Sequence, residues 1–295
     1  MTNMFRHITF KHVMKHLLWL TFSLSLLTFT LGISWQLSKS ANFFYGFWYQ
    51  SLQIDSTIKK NVIKNTHGKR DFPVVDARLH HEKFADIVQA IHQQGEGLDR
   101  ISYQNSAGQI RRLLTNSEVV HLQDVANLLD KVSQLWMSNL LLLLSLLVLY
   151  TRKQVFSRSN TSHKSDSAMC IEKSAIENSA LENTVIKSNR TQFELMMASI
   201  TTVPLGKHKL VAVMILCLLV VAMLFLWGFT SVFYYLHTVI FPADHQWFFY
   251  YQDSLMATIM KAPDIFSAIA AQLLAVALLL TVGIDAMVTR FQRKP

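Results

Sequence analysis

The sequence predicts an α-helical polytopic membrane protein, with four transmembrane helices and a small mixed α/β extracytoplasmic cap. Three observations predict it. Apolar residues make up 51% of the 295 positions, and the mean hydropathy is +0.25. They gather into blocks at residues 17–36, 135–151, 210–236 and 265–288 instead of spreading along the chain. A run of about 18 or more apolar residues matches the roughly 30 Å of a bilayer's hydrocarbon layer. The third observation is where the positive charge lies. Arg6, Lys11, Lys15, Arg152, Lys153, Lys207, Lys209, Arg290, Arg293 and Lys294 all fall on one side of a four-span path. That side is cytoplasmic, because basic loops stay inside. The net charge of +9 therefore reads as membrane orientation, and nucleic-acid binding is discounted.

In chain order, residues 1–16 form a basic cytoplasmic N-terminus without an acid. The block at 17–36 is longer than the 7–15 residues of a usual signal-peptide core, so it reads as an uncleaved first span. Residues 37–134 form the extracytoplasmic cap. Its aromatic cluster at 42–49 (NFFYGFWY) reads as an interfacial belt, where Tyr and Trp concentrate. Phe84, Ile87, Val88 and Ile91 recur at helical spacing and predict a short amphipathic helix over 80–93. Apolar arms at 101–103 and 109–114 flank Asn105-Ser106-Ala107-Gly108 and predict a hairpin. Thr115 and Glu118 make a T-x-x-E capping box, so a helix should start near Asn116 and run, with or without a break, into the second span at 135–151. A cytoplasmic loop follows at 152–209, and its Ser-, Asn-, Lys- and Glu-rich portion at 159–188 reads as disordered or loosely helical, and as an insertion. The third span (210–236), an extracytoplasmic loop (237–264), the fourth span (265–288) and a cytoplasmic tail (289–295) complete the chain.

Two histidines are candidates for chemistry. His121 follows the capping box, and Asp124 lies three residues on, so both share a helix face. A carboxylate there can hold one imidazole nitrogen and leave the other as a general base. His237 ends the third apolar block, shortly before Trp247 and Asp253, and either histidine could take Asp253 as an orienting partner. Each histidine alone reads as an ordinary surface or interfacial residue. The predicted topology brings both to one outer face. One difficulty is height. The 14 residues from His121 to Leu135 would raise the histidine roughly 20 Å above the hydrocarbon at 1.5 Å per residue. A zinc site from His80, His81 and His245 is the competing chemistry, but His80 and His81 are adjacent and cannot share a helix face. Cys170 and Cys217 offer neither a disulfide nor a CxxC spacing, and no phosphate-binding glycine loop or GxSxG elbow occurs. Neither a metal nor a cofactor is expected.

Glu118-x-x-His121-x-x-Asp124-Val125, ahead of an apolar block, resembles one signature of the DUF1461 integral membrane family. His237-x-x-x-Phe241-Pro242-x-x-x-x-Trp247-x-Phe249 followed by Asp253-Ser254-Leu255 resembles its other signature. The likeness extends over most of the chain outside residues 157–202. Leu122 stands where the family has Met, and the cytoplasmic insertion is longer than the family's compact pattern. This family includes lipoprotein intramolecular transacylases. The resemblance implies an acyltransferase of a bacterial inner membrane, acting on the diacylglyceryl-cysteine of lipoproteins amid membrane lipid. It would move the sn-2 acyl chain to the cysteine α-amino group and give a lyso-form lipoprotein, without a cofactor. His121 and His237 would be catalytic, with Glu118, Asp124, Asp253 and Trp247 in support. A non-enzymatic membrane component of a secretion or assembly system, or an acyltransferase working between two lipids, would fit the same pattern of spans.

Overall fold

The structure is a computed structural model that describes residues 2–162, 214–215, 218–219, 222–223 and 226–293. Three long helices dominate: α1 (Thr2–Ser40), α5 (Asn116–Ser162) and α8 (Asp264–Arg293). Each contains a stretch long and apolar enough to cross a membrane, at Leu20–Ser40, Asn116–Val148 and Asp264–Ile284. Among the described residues the expected first, second and fourth spans thus have counterparts. Most of the expected third span, and nearly all of the insertion after residue 162, lie outside them; the span's C-terminal end is part of α6 (Phe229–Ile240). The break considered before residue 135 is absent. From Asn116 to Ser162 no glycine or proline interrupts the helix, so nothing removes a backbone donor or frees φ.

The long helices meet through small and polar residues, as helices do where lipid removes the hydrophobic drive for association. On α1, Thr30, Ser34 and Ser38 recur every four residues and are buried. Thr30 Oγ1 lies 2.8 Å from Thr281 Oγ1, Ser34 Oγ donates to the Leu273 carbonyl at 2.9 Å, and Gln272 Nε2 donates to Ser38 Oγ at 3.0 Å. These contacts run α1 and α8 antiparallel. Across the other seam, the Trp136 indole stacks on Phe29 and donates to the Phe29 carbonyl at 3.2 Å. A Cβ on Gly32 would lie 1.9 Å from Trp136 Nε1, so only glycine admits that ring.

The cap joins α2 (Tyr45–Ser51), α3 (Ile54–Val62) and α4 (Ala77–Ile91) to a hairpin of β1 (Ser102–Gln104) and β2 (Ile110–Arg112), and it also takes in α7 (Leu255–Met260). The strands pair antiparallel with Tyr103 opposite Arg111. Asn105 Oδ1 closes the turn by accepting from the Ala107 and Gln109 amides, and Gly108 supplies the positive φ. Ile54, Ile58 and Val62 of α3 are buried in one cluster with Leu255 and Ile259 of α7. The segment between α6 and α8 therefore returns its apolar face into the cap. The aromatic cluster at 42–49 is divided. Phe43, Tyr45 and Tyr49 enter the core, and Tyr45 Oη donates to the Ile259 carbonyl at 2.8 Å, whereas Phe44 and Phe47 remain exposed as a belt would require.

Candidate active site

The capping box forms and fixes where His121 points. Glu118 N–H donates to Thr115 Oγ1 at 3.3 Å, and Thr115 N–H donates to Glu118 Oε2 at 2.5 Å. The Glu118 side chain is wholly buried, so it does more than cap. Ser254 Oγ, the N-cap of α7, donates to its other oxygen while accepting from the Ala257 amide. Lys69 Nζ lies 3.9 Å from Glu118 Oε2 and donates to the Leu113 carbonyl at 2.6 Å. Burial pulls the Lys69 ammonium below its usual range, and the charge of Glu118 opposes that shift. One carboxylate thus ties the start of α5 to α7 and to the 62–76 connection.

One turn beyond Glu118, His121 turns inward and is 7% exposed. Its ring centroid lies 6.0 Å from that of His237 on α6. Phe241 stands edge-on to His121 at 4.9 Å, and Phe249 is 5.9 Å away. His237 packs against Phe233 at 4.0 Å, Phe241 at 5.1 Å and Trp247 at 5.2 Å. His237 Nδ1 donates to the Phe233 carbonyl at 2.7 Å. A carbonyl only accepts, so the proton sits on Nδ1 and Nε2 keeps a free lone pair. His121 Nδ1 is buried and has no hydrogen-bond partner among the described residues.

Both rings border a cavity of about 350 Å³ with an otherwise apolar lining that includes Leu122, Val125, Val232, Leu236 and Phe266. Phe266 belongs to the first turn of α8 and stacks on Phe233 at 5.6 Å. The membrane-compatible stretch of α8 begins at Asp264. The cavity is thus level with the Asp264 end of that stretch, even though His121 is far from residue 135 along α5. This removes the difficulty of height.

Asp124 departs from its expected role. Its Oδ2 accepts from His245 Nδ1 at 2.6 Å, not from His121. His245 is on the loop that leaves α6 and can approach Asp124 from the rim, whereas the His121 ring is turned into Phe241 and Phe249. The Asp124 hydrogen bond raises the proton affinity of His245, and the charges of Asp124 and Asp244 add to it. Asp253 is engaged elsewhere too: it accepts from Thr66 Oγ1 at 2.6 Å and orients neither histidine.

A family model described as lipoprotein intramolecular transacylase Lit matches residues 179–266. That segment contains His237 and the second signature but not the first. A solved structure, a variant of the membrane integral lipoprotein intramolecular transacylase Lit from Bacillus cereus, is similar at TM-score 0.50 and 13% identity. It covers 98% of this chain and 97% of that one. No curated protein matches. The chain resembles the Lit family. At this identity the solved Lit structure speaks for the fold alone: a mostly helical membrane protein with a small two-stranded sheet. The family match begins at residue 179, so the likeness also takes in part of the segment 157–202.

Of the three histidines weighed for zinc, His80 and His81 are in the cap and do not line the pocket. His80 is a core residue, with Nε2 donating to the Pro73 carbonyl and Nδ1 accepting from Tyr49 Oη, both at 2.8 Å. His81 sits between Tyr45 and Tyr49. No group of three or more His, Cys, Asp or Glu suited to a metal occurs among the described residues. Sequence reasoning missed Lys69, Phe233 and Phe266, and it saw His245 only as a metal ligand. Nothing local marks Lys69. Phe233 could have been flagged, because it lies four residues before His237 and its carbonyl is the natural acceptor on a helix.

Proposed function

We propose that this chain is a lipoprotein intramolecular transacylase. It moves the sn-2 acyl chain of a diacylglyceryl-cysteine to the α-amino group of the same cysteine. The observation that carries the reading is two imidazoles 6.0 Å apart in a mostly apolar cavity beside the Asp264 end of a membrane-compatible helix. That spacing leaves room for one carbonyl group within about 3 Å of each ring. The acyl chain lies along Val125, Val232 and Leu236, and Trp247 and Phe241 close over the ester. The chain spans the membrane four times with both termini cytoplasmic, and the site faces outward.

His237 is the base and His121 its partner, because His237 Nδ1 is committed to the Phe233 carbonyl and Nε2 is left free. Nε2 takes a proton from the α-amino group. The nitrogen attacks the sn-2 carbonyl carbon, and His121 donates to the oxygen as negative charge builds. The carbon–oxygen bond to glycerol breaks, the glycerol oxygen receives the proton from His237, and an amide remains. Both reacting groups belong to one molecule, so holding them in contact removes much of the barrier. Glu118 and Ser254 fix α5 against α7 beneath the site.

The test is mass spectrometry of the N-terminal peptide of a reporter lipoprotein after co-expression. Wild type should yield N-acyl, mono-O-acyl cysteine. His121→Ala and His237→Ala should each leave the diacylglyceryl form. Full conversion by either variant would remove that histidine from the mechanism.

A further inference from the structure

We infer that Asp124 is the docking carboxylate for the substrate's α-ammonium group, and that His245 occupies it until substrate arrives. The inference rests on the transacylase reading and deepens it. Asp124 is three residues from His121 on α5 and faces the same way, so a cation bound to it lies beside the reacting pocket. The pocket lining is mostly apolar and, among the described residues, contains no carboxylate. An incoming primary ammonium needs an anion, and a cation is recognised most strongly by a charge-assisted hydrogen bond. Asp124 is the carboxylate placed to give one. Glu118 is sealed against Thr115, Ser254 and Lys69, and Asp253 is bonded to Thr66 on the cap.

The present partner of Asp124 is a poor permanent one. His245 is 35% exposed, lies on a loop outside any helix, and is held by this contact at 2.6 Å. An incoming ammonium replaces one N–H donor to the carboxylate with another. The released imidazole goes to water and desolvates nothing. The bound ammonium loses two protons on the way to the amide. One passes to water as the attacking amine forms. The second passes through His237 to the departing glycerol oxygen, so the amide carries no charge. Asp124 then returns to His245, and product leaves. The pair therefore acts as a selectivity filter for a free amine, so an already N-acylated cysteine has no claim on it.

Variants of the two residues should act in opposite directions, which no purely structural role would produce. Full-length protein in detergent is supplied with a synthetic diacylglyceryl-cysteine peptide bearing a free amine, and with its N-acetylated counterpart. Asp124→Asn should raise KM for the free-amine peptide about tenfold and abolish the binding preference for it over the N-acetyl form. His245→Ala should lower KM about threefold by removing the competitor. Equal losses in both variants, or an undiminished amine preference in Asp124→Asn, would overturn the inference. If the wild type transfers no acyl chain, the transacylase reading fails. The binding comparison still decides the role of Asp124 in that event, because it needs no turnover.

Discussion

Replacing Glu118 should cost more than any surface change on the cap, and the structure gives the size. Glu118→Ala removes a fully buried carboxylate with three partners: the Thr115 amide, the Ser254 hydroxyl and the Lys69 ammonium. It also leaves Lys69 buried with only the Leu113 carbonyl. Breaking one side of a buried ion pair costs about 3–5 kcal/mol, most of it from the stranded charge. Lys69→Met alone should cost less, about 1–3 kcal/mol, because its lost hydrogen bond is the main term. The double variant should be more stable than the sum of the two losses by at least about 1 kcal/mol, since no charge is then stranded. Reversible unfolding in mixed detergent, followed for all four proteins, measures that coupling. Additivity within about 0.5 kcal/mol would refute the reasoning and reduce Glu118 to an ordinary helix cap.

Gly32→Ala should destabilise by about 1–3 kcal/mol, opposite in sign to the usual gain of alanine in a helix, because the new methyl meets the Trp136 indole. In a Trp136→Ala background the same change should be neutral or stabilising, read by the same unfolding assay. The clamp between His245 and Asp124 should depend on pH. The proton affinity of His245 is raised by its Asp124 bond, with Asp124 and Asp244 the charges facing it. The contribution is therefore complete below the ordinary histidine value of 6.5 and is lost as pH climbs through the raised one. Hydrogen exchange of residues 241–250, corrected for intrinsic rates, should show more protection at acid pH, and His245→Gln should flatten the profile. Ser254→Ala should unseat α7 and lower acyl transfer several-fold while leaving His121 in place; an unchanged rate would separate α7 from the site.

What the sequence discloses here follows range. The capping box, the hairpin and α4 depend on neighbours within a few residues, so their patterns can be read directly. Long apolar stretches are equally plain, since length and composition decide them. Partner choice is different. Asp124 has His121 nearby in sequence, yet it binds a histidine 121 positions away, because ring orientation is set by Phe241 and Phe249. Glu118 reads as a cap, and its second duty toward Ser254 appears only when α7 folds back into the cap. α7 itself is six residues that are all buried, too short for any period to emerge.

The two histidines do not ride on equivalent supports. His121 stands on a helix seated by Trp136 in the Gly32 notch and locked by Glu118. His237 stands on α6, none of whose residues is buried. The arrangement is that of a vice with one jaw packed into the core and one jaw exposed. In the proposed reaction the seated jaw would fix the reacting position, and the exposed one would gauge the lipid that is admitted. Under the proposed transacylase reaction, substitutions on the exposed face of α6 are therefore the natural place to widen or narrow the range of acyl chains without touching either histidine.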